Sequence, residues 1–149
     1  MARAIDEPIP PEEELYRTIA TANRDGDLVL PGAMDPDGTS VYRQKYCMFQ
    51  DAPCTAKEPL IAVLLAGGLP APLASAGGVP WEFFLVDHPD GHVAHAEVRF
   101  RRVGNASRDG ERPKRGLRDL IRAHLAQCFR VREREHAEPE PDAASPSTG

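Results

Sequence analysis

The chain has 149 residues, a size at which one domain buries about two thirds of its unfolded surface. Aromatics make up only 6% of it, while Gly and Pro number 12 and 15, which argues against a large barrel or an all-helical bundle and for a compact core with long turns. The net charge of −5 is unevenly spread: residues 99–134 hold twelve Arg or Lys against four Asp or Glu, and the acidic excess lies elsewhere, a pattern that bears on partners rather than on fold. No apolar run is long enough to span a bilayer, and residues 1–11 carry no apolar signal core, so a cytoplasmic protein without a membrane partner is expected. Cys47, Cys54 and Cys128 form no C-x-x-C and read as free thiols.

Residues 1–11 read as an extended, Pro-rich lead. Pro10-Pro11 followed by Glu12, Glu13 and Glu14 has the make-up of a helix start, because Pro suits the first turn and acids there complement the dipole. Leu15, Ile19 and Ala22 then recur at helical spacing, predicting a short N-terminal helix over about 11–21. The alternation of Leu15-Tyr16-Arg17-Thr18-Ile19 fits a strand nearly as well. A turn at 23–27, a short extended piece at Leu28-Val29-Leu30 and a second turn at Asp35-Pro36-Asp37-Gly38 follow. Residues 40–46 form a strand or a structured loop. The apolar run 60–65 is core, as a buried strand or a short buried helix, since periodicity does not separate the two. Residues 69–78 read as a mobile Pro/Ala/Gly surface linker.

The segment 79–102 holds the only Trp, three of five Phe and three of five His. It reads as a β-hairpin turning at Pro89-Asp90-Gly91. In its second half Ala94, Ala96, Val98 and Phe100 share one face, while Val93, His95, Glu97 and Arg99 share the other. After a polar loop at 103–113, residues 113–129 read as an amphipathic helix. Leu117, Leu120, Ile121, His124, Leu125 and Cys128 make its apolar stripe, and Arg115, Arg118 and Arg122 its basic flank. From Glu133 onward the chain is an acidic, low-complexity tail that reads as disordered.

Four groupings carry chemistry. His88, His92, His95 and Glu97 are dense in imidazole and carboxylate, but H-x₃-H-x₂-H-x-E matches no familiar metal motif, so neither a metal nor another cofactor is expected. His95 next to Glu97 on one strand face has the make-up of a general base with its orienting carboxylate. Ser40, Tyr42, Arg43, Lys45 and Tyr46 combine hydroxyls with cations, as phosphate or nucleotide binding requires, without a glycine-rich phosphate loop. The basic flank offers a docking face for a protein partner, with nucleic acid less favoured because the whole chain is acidic. Arg17, Ser40 or Tyr42, and Glu97 also occur in the order used by ADP-ribosyltransferase-like folds.

Taken together, E-x-L-Y-R at 13–17, S-V-x-R-x-K-Y at 40–46 and H-A-E-V at 95–98 resemble a loosely defined group of short uncharacterised bacterial proteins. The resemblance covers most of residues 12–100 and none of the tail. It implies a bacterial, cytoplasmic, single-domain protein with no established activity, and it directs attention to Tyr16, Arg17, Ser40, Arg43, Lys45, Tyr46, His95 and Glu97 as a shared cluster. The expectation is an α+β domain over 12–132. It comprises a small mixed or antiparallel sheet holding the 79–102 hairpin, packed by the C-terminal helix and a short N-terminal helix. The expected function is that of an accessory or interaction protein that meets a protein partner through Arg115, Arg118 and Arg122. The alternative is a small enzyme or nucleotide-binding domain built on Arg17, Ser40, Arg43, His95 and Glu97, with Tyr16, Lys45 and Tyr46 beside them.

Overall fold

The computed structural model describes residues 6–35, 37–75, 78–105 and 115–134. Its strands are β1 (Glu14–Ile19), β2 (Arg24–Asp25), β3 (Leu28–Val29), β4 (Thr39–Arg43), β5 (Leu60–Leu65), β6 (Leu73–Ser75), β7 (Gly78–Asp87), β8 (His95–Arg102) and β9 (Arg130–Arg132). They form one sheet in the order β2-β3-β9-β5-β1-β4-β8-β7-β6, with every neighbouring pair antiparallel. The sheet curls into a half-barrel. The one α-helix among the described residues, α1 (Arg115–Ala126), packs against its inner face.

This corrects the expected α+β architecture: the sheet is large, and the N-terminal helix does not form. Leu15 and Ile19 lie four apart, a spacing that keeps two residues on one face of a helix and also of a strand, where side chains repeat every two. Tertiary pairing decides the matter. β1 lies inside the sheet, with six residue pairs to β5 and two to β4. Both neighbours lie at least twenty residues away in sequence, so nothing local announces them. The run at 60–65 is a strand for the same reason.

Alternation sorts the sheet into two faces. Leu15, Arg17 and Ile19 on β1 point inward, with Thr39, Val41 and Arg43 on β4, Ala62 and Leu64 on β5, Phe83, Leu85 and Asp87 on β7, and Ala96 and Val98 on β8. Ile121, Leu125, Ala126 and Phe129 close this core from the helix side. The outer face carries a smaller cluster of Tyr16, Ile61, Val63 and Ala52, edged by Tyr42, Phe49 and Cys54. The loop between β4 and β5 supplies Phe49, Ala52 and Cys54 to that cluster, so the outer face is roofed over β5, β1 and β4.

The helix is shorter than the stripe suggests. It ends at Ala126, and the amides of Cys128 and Phe129 bond back three residues to the carbonyls of Leu125 and Ala126, a tightened last turn. The chain then enters β9, a strand the sequence reading did not include. Leu120 is 52% exposed and does not join the core. The linker predicted at 69–78 contains edge strand β6. Backbone amides fasten the N-terminal lead: the Gly67 amide donates to the Pro11 carbonyl (2.8 Å), and the Glu7 amide to an Asp87 carboxylate oxygen (2.9 Å). A Cβ on Gly67 would sit 2.8 Å from the Pro11 Cβ, so this close approach admits only glycine. Glu133 and Arg134, assigned to the tail by sequence, are placed: Glu133 pairs with Arg24, and Arg134 donates to the carbonyls of Gln50 and Ala52. The remainder of the tail, from 135, lies outside the described residues.

Candidate functional site

The residues singled out from sequence divide between the two faces of the sheet. Arg43 and Arg17 point inward. Ser40, Tyr42, His95, Glu97 and Arg99 point outward, with Ser40 paired to Glu97 and Tyr42 to His95 across β4 and β8. The arginines and the His–Glu row therefore do not meet in one pocket, and the nucleotide-site arrangement of Arg17 with Ser40 and Glu97 does not assemble.

Arg43 is fully buried. Its Nε and Nη2 donate to the two Glu13 carboxylate oxygens at 3.1 and 2.8 Å, its Nη1 to Asp87 Oδ1 at 3.0 Å, and Nη2 also reaches the Pro8 carbonyl at 3.4 Å. Burial works against the guanidinium's charge, but the bonds to Glu13 and Asp87 outweigh it and hold the group above its ordinary range. A planar, permanently charged fork is the side chain suited to two buried carboxylates. Glu13 also accepts the Lys45 amide at 3.0 Å. Lys45 and Tyr46, ligand candidates from sequence, both hydrogen-bond the Glu7 carboxylate. These two bonds, Lys45 first, hold Glu7 below the usual carboxylate range. Arg43, Lys45 and Tyr46 thus clamp the N-terminal lead to the ends of β4 and β7.

Arg17 is also structural. Its Nε donates to the Ala33 carbonyl (2.7 Å) and its Nη1 to the Ser40 carbonyl (2.8 Å). β1 and β4 pair only at Leu15–Arg43 and Tyr16–Tyr42. Beyond that point the guanidinium bridges between β1 and the Ser40 backbone, satisfying carbonyls the ladder leaves open.

On the outer face, His95 Nδ1 lies 2.6 Å from the His88 carbonyl oxygen and Nε2 lies 3.1 Å from Ser40 Oγ. Glu97 Oε2 stands 3.9 Å from the same Nε2, and Glu97 Oε1 accepts from Arg99 Nε at 2.8 Å. His92 packs edge-on to Tyr42 at 5.0 Å. Among the described residues no three His, Cys, Asp or Glu come together as a metal site.

The same face bears a feature that sequence reading missed. Glu14, Tyr16, Gln44, Met48, Phe49, Gln50 and Arg132 line a concavity of about 410 Å³. Arg132 binds both Glu14 carboxylate oxygens (2.8 and 2.7 Å) and stacks over the Phe49 ring at 5.2 Å. Phe49 in turn meets Tyr16 edge-on at 5.5 Å. The Tyr16 hydroxyl donates to Glu14 at 2.9 Å. Bonds from Arg132 lower the Glu14 carboxyl, while burial, then Glu14, raises the Tyr16 phenol. Met48 is 66% exposed, and Leu65, the cross-strand partner of Glu14, is 51% exposed. The trace of this in the sequence is the adjacent pair Met48-Phe49 in the loop between β4 and β5.

On α1, Arg115 is exposed and Arg118 half-buried, while Arg122 is committed: its Nε donates to the Met34 carbonyl at 3.0 Å. No helix among the described residues is long and apolar enough to cross a membrane. No family model, curated protein or solved structure matches this chain.

Proposed function

We propose that this chain is an accessory protein that binds a protein partner. The observation that carries the reading is the pair of open apolar side chains, Met48 and Leu65, beside the concavity floored by Phe49 and walled by Arg132. Met, aromatic residues and Arg are the types enriched where partners bury surface, and binding energy concentrates on a few such anchors set in pockets. The Glu14–Arg132 pair beside it is already made in the free protein, so a partner need not order it. Exposed Arg115 and half-buried Arg118 supply a second, electrostatic contact suited to an acidic partner surface; charge of this kind sets association rate and selectivity more than affinity. Arg122 drops out of that flank because it is held by Met34. Nucleic acid is the weaker choice, since the chain as a whole is acidic and such binding rests on many phosphate contacts.

The test uses the full chain as bait against an extract of its source cells. Wild type is compared with Met48→Glu/Leu65→Glu and with Arg115→Ala/Arg118→Ala, each checked for an unchanged circular dichroism spectrum. The expected result is a partner retained by wild type, reduced about tenfold or more by the apolar variant, and reduced in salt-dependent fashion by the arginine variant. Equal recovery from all three would contradict the reading.

A further inference from the structure

Ser40 and His95 carry chemistry that partner binding does not use. They sit on neighbouring strands of the outer face, diagonal to one another, because Ser40 pairs with Glu97 and His95 with Tyr42. A backbone carbonyl can only accept a hydrogen bond, so the 2.6 Å contact to the His88 oxygen places the neutral ring's proton on Nδ1. Nε2 is then the nitrogen with the free lone pair. It lies 3.1 Å from Ser40 Oγ, and the hydroxyl donates to it. This is a nucleophile bonded to a base whose far side is held by a third group, here a carbonyl rather than a carboxylate. Glu97 Oε2 stands 3.9 Å from the same Nε2. From beneath the sheet, Arg17 fixes the Ser40 carbonyl and with it the strand position of the hydroxyl. The His95 side chain is 15% exposed.

We propose that Ser40 is an activated nucleophile, with His95 as its general base, toward small acyl esters. Ser40 Oγ attacks the ester carbonyl carbon while its proton passes to His95 Nε2. The tetrahedral adduct collapses, the bond to the leaving oxygen breaks, and that oxygen takes the proton from Nε2 as the alcohol departs. The acyl group is left on Ser40. Water then repeats the sequence: its proton goes to Nε2, the carboxylic acid leaves, and Ser40 Oγ recovers its proton. Ser40 and His95 are the catalytic residues, and Arg17 is a positioning residue. General-base assistance alone is worth about 10²–10⁴-fold, so a slow esterase is expected.

The experiment uses the purified full chain, with p-nitrophenyl acetate for turnover and a fluorophosphonate for covalent capture, followed by peptide mapping. Wild type is expected to release nitrophenol at least tenfold faster than Ser40→Ala and His95→Gln, and to carry the phosphonyl group on Ser40. His95→Gln keeps a hydrogen-bonding side chain but no base, and unchanged thermal melts confirm that both variants fold. Equal nitrophenol release by the three proteins, or an adduct on any residue other than Ser40, would overturn the proposal.

Discussion

Arg43 is the residue on which the ends of β4 and β7 and the N-terminal lead converge. Removing one partner of a buried ion pair strands the other charge, at a cost of about 3–5 kcal/mol. Arg43→Met is therefore expected to lower unfolding free energy by that amount in urea melts, and Arg43→Lys to recover little, because an ammonium cannot span Glu13 and Asp87 together. A loss under about 1 kcal/mol would show that the network is dispensable. Protonation gives a second residue-scale prediction. Glu7 and Glu14 are held below the ordinary carboxylate value of 4.5. The unfolded chain takes up protons first as pH falls, so their contribution is present above 4.5 and is lost below it. Tyr16 is shifted the other way, above its ordinary 10.0. The unfolded phenol ionises while the folded one keeps its proton, so that contribution is present below pH 10 and is lost as pH rises through the folded value. Urea midpoints should fall at both ends, with Glu14→Gln flattening the acid limb and Tyr16→Phe the alkaline one; unchanged limbs would refute the assignment. Part of this was readable from parity. Arg43 shares a strand face with Val41, and Asp87 shares one with Phe83 and Leu85, so both charges fall on apolar faces and need each other. What sequence did not reveal is that Glu13 and Glu7 come back to them across thirty residues or more.

At the scale of elements, α1 is held by a narrow contact. Ile121 and Leu125 enter the core, and Arg122 ties the helix to the turn at Met34. Leu125→Ala should cost about 2–5 kcal/mol, whereas Leu120→Gln, at an exposed site, should stay within about 0.5 kcal/mol. Equal costs in chemical denaturation would mean that the helix is docked in another rotation. The amphipathic pattern was legible because helical periodicity is local. Its end and the passage into β9 were not: Arg130-Val131-Arg132 is too short to stand out and becomes a strand only between β5 and β3. The N-terminal segment shows the same limit, since its 15/19 spacing suits two structures and pairing with β4 and β5 chooses between them.

For the whole molecule, a half-barrel with a helix on its inside leaves the outer face of the sheet and the open side of α1. The inner face is filled by the core and by the Arg43 and Arg17 networks, which removes two of the five residues that had pointed to a single site. The outer face keeps the Ser40–His95–Glu97 row on β4 and β8 and the Met48–Leu65 concavity over β1, β5 and β9. Strand alternation was enough to put His95 beside Glu97, but not to bring Ser40, 55 residues away, to the imidazole. The second is built by the β4–β5 loop, which contributes Gln44, Met48, Phe49 and Gln50, together with one or two residues each from β1, β5 and β9, and only the loop leaves a trace of it in the sequence. The partner-binding reading rests on that second area, and site-directed photocrosslinking tests it most directly. Benzoylphenylalanine replaces Met48 in one protein and Val79, also exposed but on β7 toward the other end of the sheet, in another. Both are irradiated in the source cells. The account predicts a discrete adduct band with another protein from position 48 that is absent from position 79. No adduct from 48, or the same adducts from both positions, would contradict it.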